Sequence, residues 1–314
     1  MPSWQTGGVT VVVVAPGQGS QTPGFLEPWL SEPAFADHLD SLADASGVDL
    51  RTHGTVSDAD TIRDTAIAQP LIVAASIMSM AAVLADGRRD RIVGIAGHSV
   101  GEIAAAAGAG ILAEADAMAF VTARGRAMAA AAAETPTGMS AVIGGDEGEL
   151  LAKLEQFDLQ PANFNGGGQI VVAGALDGLA QLQESPPAGA RVIPLQVAGA
   201  FHSRYMLSAV STLKDVAETL PVADPSITIW SNRDGWIVTS GHDFVARLVG
   251  QVASPVRWDR TMESFHAAEI TGLIELAPAG ALVGLAKRAL KGVPTVAVKT
   301  PDDLPAAYEL IDAS

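Results

Sequence analysis

The 314-residue sequence contains no cysteine, which excludes disulfides, thiol catalysis and thiolate metal sites. Its six histidines form no HxxxH or HExxH pair, so the sequence offers no recognisable zinc motif. We therefore expect no bound metal.

Positive charge and long hydrophobic runs are also scarce. The chain has 19 lysines and arginines against 35 aspartates and glutamates, a formal net charge of −16. Nucleic acid and anionic membrane surfaces are therefore poor partners. The apolar run at residues 11–14 is too short to span a bilayer, and no basic stretch typical of a secretory signal precedes it. We expect a cytoplasmic protein that binds neither nucleic acid nor membrane.

The residues that are abundant predict a folded α/β protein. Hydrophobic residues make up 48% of the chain and charged residues 17%, which is typical of a globular protein and not of a disordered one. Apolar strands are predicted at residues 9–15 and 92–96, and each ends in a glycine-containing turn. An alanine-rich helix at residues 102–107 follows the second turn. Strand, turn and helix in this order indicate an α/β arrangement.

A long helix is predicted at residues 114–133, and shorter elements follow it. Between residues 140 and 195 the order is strand, helix, strand, strand, helix, strand, which is the order of a ferredoxin-like unit. Larger α/β elements resume afterwards. We therefore predict a discontinuous core domain at residues 1–133 and 199–314, with a ferredoxin-like subdomain at residues 134–198.

The segment Gly97-His98-Ser99-Val100-Gly101 fits the pattern G-x-S-x-G. Flanking glycines permit a strand-to-helix turn that is too sharp for a Cβ atom, and such a turn holds a serine beside the positive end of the following helix. The N–H of Val100 can then help to bind an oxyanion. The alternative is a glycine-rich turn with an N-capping serine. The apolar strand before it and the helix after it favour a nucleophile at Ser99.

A nucleophilic serine needs a base. His98 is adjacent, but its side chain should diverge from that of Ser99, so His202 is the better candidate because it lies between a predicted strand and a predicted helix. A lone histidine could equally be a satisfied core or surface residue. None of the acids between Ser99 and His202 sits convincingly at a strand end of the main sheet. We interpret the pair as a dyad whose histidine is oriented by something other than a carboxylate.

The loop after the first strand, Gly17-Gln18-Gly19-Ser20-Gln21, is also rich in glycine. Glycines let backbone N–H groups approach a ligand closely. The loop could supply a second oxyanion donor, bind phosphate or form a simple turn. It is not a dinucleotide-binding fingerprint, because the G-x-G-x-x-G pattern fails at Thr22.

Arg124 stands in an apolar, alanine-rich predicted helix. An arginine in such a setting either extends its charged end to solvent or binds an anion. Arg126, two residues later, points to a different face of the helix. One of the two can therefore lie at the surface while the other faces inward.

Taken together, these segments resemble the malonyl-CoA:acyl-carrier-protein transacylases of bacterial type II fatty acid synthesis. The resemblance covers nearly the whole chain in order. The segments that carry it are Gly17-Gln18-Gly19-Ser20-Gln21, Gly97-His98-Ser99-Val100-Gly101-Glu102, Arg124-Gly125, Asn163-Phe164-Asn165-Gly166, Gly199-Ala200-Phe201-His202 and the stretch from Gln251 to Trp258.

The resemblance implies an α/β-hydrolase-like core with the ferredoxin-like insertion, and a site in the cleft between them. Ser99 would be the nucleophile and His202 the general base and acid, oriented by a main-chain carbonyl near Gln251. The other implied roles are oxyanion donation by the N–H groups of Gln18 and Val100, a clamp on the malonyl carboxylate at Arg124, a polar residue lining the site at Gln69, and a neighbour of the active-site histidine at Asn165.

The implied substrates are malonyl-CoA and acyl carrier protein, used by a freestanding enzyme in a ping-pong reaction that needs no metal or redox cofactor. Separately, we expect a monomer. A trans-acting polyketide synthase acyltransferase would share these motifs, so the source of the carrier protein stays open. A serine thioesterase or other hydrolase would share the dyad but not the arginine. A silent carrier-binding module would not need both Ser99 and His202.

Phe201 bears on the choice of acyl group because it directly precedes His202. In related acyltransferase domains, Ala-Phe-His at this place goes with malonyl and the smaller Ala-Ser-His with methylmalonyl. We expect the ring to exclude an α-methyl branch; the alternative is that it only packs in the core.

Lys287, Arg288 and Lys291 cluster on one predicted helix, at positions i, i+1 and i+4. An acidic carrier protein would need a local positive surface on so acidic a chain. The cluster is either that docking surface or an ordinary solvated helix end.

Overall fold

The computed structural model of the protein describes residues 10–313, so Val9 and the leader at residues 1–8 lie outside the described residues. The strands in this range are β1 (Val11–Ala15), β2 (Ile92–Gly97), β3 (Thr137–Ile143), β4 (Gln160–Gly166), β5 (Gln169–Ala175), β6 (Arg191–Pro194), β7 (Thr228–Ile229), β8 (Val256–Arg257), β9 (Gly272–Glu275) and β10 (Thr295–Ala297).

The helices surround these strands and connect them. They are α1 (Glu27–Leu30), α2 (Pro33–Ser46), α3 (Leu50–Thr55), α4 (Thr65–Val83), α5 (Gly101–Gly108), α6 (Glu114–Glu134), α7 (Glu147–Gln156), α8 (Leu176–Glu184), α9 (Leu207–Ala217), α10 (Gly241–Gln251), α11 (Trp258–Ala267), α12 (Ala281–Ala289) and α13 (Leu304–Asp312). Short 3-10 helices occupy Thr61–Arg63, Arg88–Arg91, Arg204–Met206 and Pro301–Asp303.

The main sheet is parallel, with the strand order β10-β9-β1-β2-β7. A parallel sheet covered by helices on both faces favours continuously apolar strands, and all five residues of β1 are buried. Val11, Val13 and Ala15 belong to one core cluster, while Val12 and Val14 belong to a second on the opposite face. The predicted α/β class is confirmed.

The second sheet has the order β6-β3-β5-β4-β8. Its first four strands pair antiparallel and, with α7 and α8, follow the strand order of a ferredoxin-like unit. The fifth strand, β8, comes from outside residues 134–198 and pairs parallel with β4 through Asn163 and Val256. Sequence reasoning did not foresee this strand, which ties the two sheets together. The boundaries of the two domains stay a prediction.

Sequence reasoning did not single out helix α4 as a long apolar helix. Its length and composition would allow it to cross a membrane, but core helices of globular proteins can have the same length and composition. In this protein, 78% of its most apolar window is buried. It packs closely against α6 and α5. The helix is therefore part of the core here, and the cytoplasmic location stays a prediction.

The parallel sheet brings the glycine-containing turns together. Ala15 at the end of β1 pairs with Gly97 at the end of β2, and the N–H of His98 donates to the Ala15 carbonyl at 2.9 Å. Carboxyl ends of neighbouring parallel strands meet at one sheet edge, which is where α/β proteins bind ligands. Both turns therefore face the cleft beside the second sheet.

Candidate active site

The turn from β2 to α5 has no room for side chains at its two glycines. A Cβ atom on Gly97 would lie 2.0 Å from the carbonyl carbon of Gly101, and one on Gly101 would lie 2.3 Å from the carbonyl oxygen of Ala15. Ser99 between them has a φ of +52°, in the left-handed region that non-glycine residues rarely adopt. The turn therefore has the strained geometry expected of a nucleophile-bearing turn.

Asn232 holds this turn in place. Its Oδ1 accepts from the Ser99 N–H at 2.7 Å, and its Nδ2 donates to the Gly97 carbonyl at 2.7 Å. The residue is fully buried just beyond β7, the strand next to β2. Sequence reasoning missed Asn232. Its position after a strand of the same parallel sheet was the signal that could have found it.

Ser99 and His202 meet across the cleft. The Ser99 hydroxyl lies 2.7 Å from Nε2 of His202, and Nδ1 of the imidazole lies 2.8 Å from the main-chain oxygen of Gln251. A carbonyl oxygen can only accept, so Nδ1 carries the proton and Nε2 is left to accept from the serine. His202 is itself left-handed, with a φ of +59°, and its N–H donates to the Val252 carbonyl. The pair has the geometry of a nucleophile and its base.

The imidazole is held neutral. Burial, and then the positive charge of Arg124, lower the pKa of His202 to about 3, while the Gln251 carbonyl acts in the opposite direction. A neutral imidazole is the form that can take a proton from Ser99. The site is therefore poised as a base at neutral pH.

Two residues on neighbouring turns are candidates for oxyanion donation through their backbone N–H groups. Gln18 and Val100 line the same cavity as Ser99, and neither backbone N–H donates a hydrogen bond within residues 10–313. The Gln18 side chain makes long contacts with the Arg63 carbonyl and the Thr65 hydroxyl. Their role as oxyanion donors stays a prediction.

Arg124 is a buried cation that faces the cavity. Its side chain is held by two amide oxygens, Oε1 of Gln69 at 2.6 Å and Oε1 of Gln251 at 2.9 Å. Within the part of the chain that the structure describes, it forms no ion pair within 4 Å. Burial lowers its pKa to about 10, and Glu102 opposes that shift. Arg126 is exposed, so the two arginines lie on different faces as expected.

The cavity in front of the dyad has a volume of about 390 Å³ and lies between the two sheets. Phe201 and Gln69 line it, and both are buried. Arg288 on α12 lies at its wall. The space is large enough for an acyl group and part of a carrier arm.

Asn165 is hydrogen-bonded to His98. Its Oδ1 lies 2.9 Å from Nε2 of His98, and its Nδ2 donates to Oε1 of Gln169 at 3.0 Å. Asn165 also lines the same cavity as His202, and its place beside the active-site histidine stays a prediction. Burial lowers the pKa of His98, whose ring also packs edge-on against Trp258.

The assembled groups can carry out acyl transfer through a covalent intermediate. A serine, a neutral histidine and two oxyanion donors are the parts that this chemistry needs. The buried guanidinium adds a place for a carboxylate. No group of three or more metal-binding side chains occurs among residues 10–313.

Comparison with known proteins also indicates acyl transfer. The model of the acyl transferase domain family matches residues 12–301. The chain is 49% identical over 298 residues to the malonyl CoA-acyl carrier protein transacylase of Mycobacterium tuberculosis, covering 94% of this chain and 98% of the relative.

Solved structures agree with that match. A crystal structure of the transacylase MCAT from Mycobacterium tuberculosis superposes with a TM-score of 0.92 at 48% identity, covering 95% of this chain and 99% of the other. A malonyl-transacylase in complex with its type II polyketide synthase acyl-carrier protein superposes with a TM-score of 0.91 at 29% identity, covering 96% and 99%.

We predict that the His202 imidazole stays neutral between pH 5 and 8, because its pKa is lowered to about 3. The measurement is a pH titration of the imidazole ¹⁵N shifts, with the protein in denaturant as the control, where the ring should titrate near about 6.5. Since the unfolded chain then binds a proton that the folded chain does not, this group should also reduce stability as the pH falls below about 6.5. A folded-state midpoint near 6.5 would contradict the prediction.

Proposed function

The chain belongs to the acyl transferase family, and we propose that it moves a malonyl group from malonyl-CoA to the phosphopantetheine thiol of an acyl carrier protein. The observation that carries this proposal is the buried guanidinium of Arg124 in the same cavity as Ser99 and His202. The relatives that act on malonyl-CoA and carrier protein support it.

In the first half-reaction, His202 Nε2 accepts the Ser99 hydroxyl proton as Oγ attacks the thioester carbonyl carbon. The N–H groups of Gln18 and Val100 stabilise the oxyanion of the tetrahedral intermediate. The carbon–sulfur bond then breaks, and the imidazolium returns its proton to the CoA sulfur. Malonyl-Ser99 and free CoA are the products.

The second half-reaction reverses these roles. The carrier protein's thiol gives its proton to His202 and attacks the malonyl-serine ester. The oxyanion forms at the same two N–H groups, and Ser99 leaves with the proton from the imidazolium. The same neutral histidine serves both halves, so no further acid is required.

Arg124 explains why a malonyl group would be preferred to a neutral acyl group. Its two hydrogen-bonded nitrogens each carry a second N–H, and these can bind the free carboxylate of the malonyl group bidentately. A neutral acyl group would leave the buried charge without a counter-ion.

The carrier protein would approach along α12. This helix lines the cavity with Leu282 and Leu285 and ends in the exposed side chains of Lys287 and Arg288. A local positive surface would offset repulsion between two acidic proteins. Whether the carrier protein belongs to fatty acid or polyketide synthesis stays open, and the monomeric state stays a prediction.

A serine thioesterase is the alternative, because it would use the same dyad and oxyanion donors but pass the acyl group to water. It gives no account of the buried Arg124. The buried Arg124 therefore favours transfer of a malonyl group over this alternative.

Intact-mass spectrometry tests the proposal in two steps. Malonyl-CoA alone should add one malonyl group to the protein, and holo carrier protein should then remove it and gain the same mass. The Ser99→Ala variant should stay unmodified while keeping its fold, because it lacks the nucleophile. Loss of the malonyl adduct from the protein without a gain in mass by the carrier protein would indicate a hydrolase. A malonyl adduct on Ser99→Ala would show that Ser99 is not the nucleophile.

Arg124→Ala should reduce kcat/KM for malonyl-CoA by roughly 10- to 150-fold, the worth of hydrogen bonds to a charged group. Acetyl-CoA should be used as well as before or better, because it gains nothing from the guanidinium. Arg126→Ala is the matched control on the exposed face of the same helix. An unchanged malonyl-to-acetyl preference in Arg124→Ala would show that Arg124 does not select the malonyl carboxylate.

Phe201→Ser should narrow the preference for malonyl-CoA over methylmalonyl-CoA without abolishing activity. Steric exclusion of one methyl group is worth about 1–3 kcal/mol, roughly 10- to 200-fold. The measurement is competition between the two thioesters, scored by the mass of the acyl-enzyme, with Phe201→Leu as a control that keeps an apolar side chain. Equal labelling of the wild type by both thioesters would defeat the idea.

A further inference from the structure

Glu102 is a buried carboxyl group that the proposed reaction does not use. It lies in the first turn of α5, three residues after Ser99, and is 1% exposed. Both of its oxygens accept hydrogen bonds. Oε1 accepts from the main-chain N–H of Asn232 at 2.6 Å, and Oε2 accepts from the side-chain amide of Gln251.

The two partners of Glu102 are the residues that hold the site together. Asn232 fixes the backbone on both sides of the turn at Ser99. Gln251 orients His202 through its main-chain oxygen, and its side-chain Oε1 accepts from Nη2 of Arg124. Its Nε2 also donates to the Ser99 carbonyl at 3.2 Å.

The direction of the Gln251 amide matters because an amide has one accepting end and one donating end. Arg124 can only donate, so the amide oxygen has to face it. The NH₂ end then faces the Ser99 carbonyl and Glu102, which both accept. A carboxylate at position 102 can only accept hydrogen bonds, so it stabilises only this orientation of the Gln251 amide.

We propose that Glu102 is a positioning residue that fixes the Gln251 amide with its oxygen toward Arg124, and so sets the guanidinium to receive the carboxylate of the acyl group. The inference rests on the proposed malonyl transfer. It assigns Glu102 to acyl-group selection and leaves bond making and breaking to Ser99 and His202.

The carboxylate is costly where it lies, which supports a role beyond packing. Burial raises the pKa of Glu102, while the Asn232 N–H, the Gln251 amide and the charge of Arg124 favour its ionised form. Both oxygens accept from N–H donors, which is the hydrogen-bonding pattern of a carboxylate. A second cavity of about 180 Å³, lined by Glu102 and Gln251, lies behind them. A neutral side chain would avoid the desolvation cost but would not present two acceptors.

Glu102→Gln tests the inference because it keeps the shape and removes one acceptor. The Asn232 N–H would take the remaining oxygen, so the new NH₂ group would oppose that of Gln251 and favour a flipped Gln251 amide, donor to donor with Arg124. We expect the ratio of kcat/KM for malonyl-CoA to that for acetyl-CoA to fall by about 10-fold or more. Glu102→Asp keeps two acceptors, so its ratio should stay within about 3-fold of the wild type even where stability falls.

Glu275→Gln is the control for the loss of any buried carboxylate, since Glu275 is also buried and accepts from the N–H groups of Gly280, Leu282 and Val283. It should lower the melting temperature without changing the malonyl-to-acetyl ratio. The inference would be overturned if the wild type and Glu102→Gln had the same malonyl-to-acetyl ratio of kcat/KM. It would also be overturned if Glu102→Gln and Glu102→Asp changed that ratio equally. If Glu102→Gln does not fold, a 10-fold ratio change in Glu102→Asp would overturn it alone.

The wild-type assay separates failure of this inference from failure of the proposed function. A wild type that does not take up malonyl from malonyl-CoA would refute the proposed function. A wild type that prefers malonyl, together with a Glu102→Gln variant of unchanged preference, would refute only the role of Glu102.

Discussion

The site depends on holding two residues in left-handed backbone conformations within hydrogen-bond distance of each other. Ser99 and His202 have φ values of +52° and +59°, and each such conformation costs a non-glycine residue about 1–3 kcal/mol. Packing and hydrogen bonds have to offset that cost. Asn232 supplies them for Ser99, and the Val252 and Gln251 carbonyls supply them for His202.

Buried polar side chains in folded proteins nearly always have at least one hydrogen-bond partner. The chain Gln69, Arg124, Gln251 and Glu102 satisfies this rule with one hydrogen bond at each step. Its members come from α4, α6, α10 and α5. The chain therefore joins four helices that are distant in sequence, and it makes the orientation of the arginine depend on the turn that carries the serine.

The sequence allowed prediction of the parts of this arrangement that are local. The G-x-S-x-G turn, the two strands around the glycine turn at residues 166–168 and the opposed faces of Arg124 and Arg126 follow from glycine sterics and helix periodicity. The inward position of Arg124 was implied by the resemblance. Helix α4 is apolar on every face, so no amphipathic period marked it. The pairing of β8 with β4, and the contacts of Asn232 and Glu102, depend on residues more than 90 positions apart. Such contacts leave no local pattern in a single sequence.

A carbonyl in place of a triad acid has an electrostatic consequence in the proposed reaction. The Gln251 carbonyl orients His202 but brings no full negative charge to stabilise an imidazolium, and the Arg124 guanidinium disfavours the protonated ring. A malonyl carboxylate bound to Arg124 would neutralise much of that positive field. The bound substrate would then raise the basicity of His202 at the moment when Ser99 has to lose its proton. A neutral acyl group would leave the field in place, so discrimination by Arg124 would act on the chemical step as well as on binding.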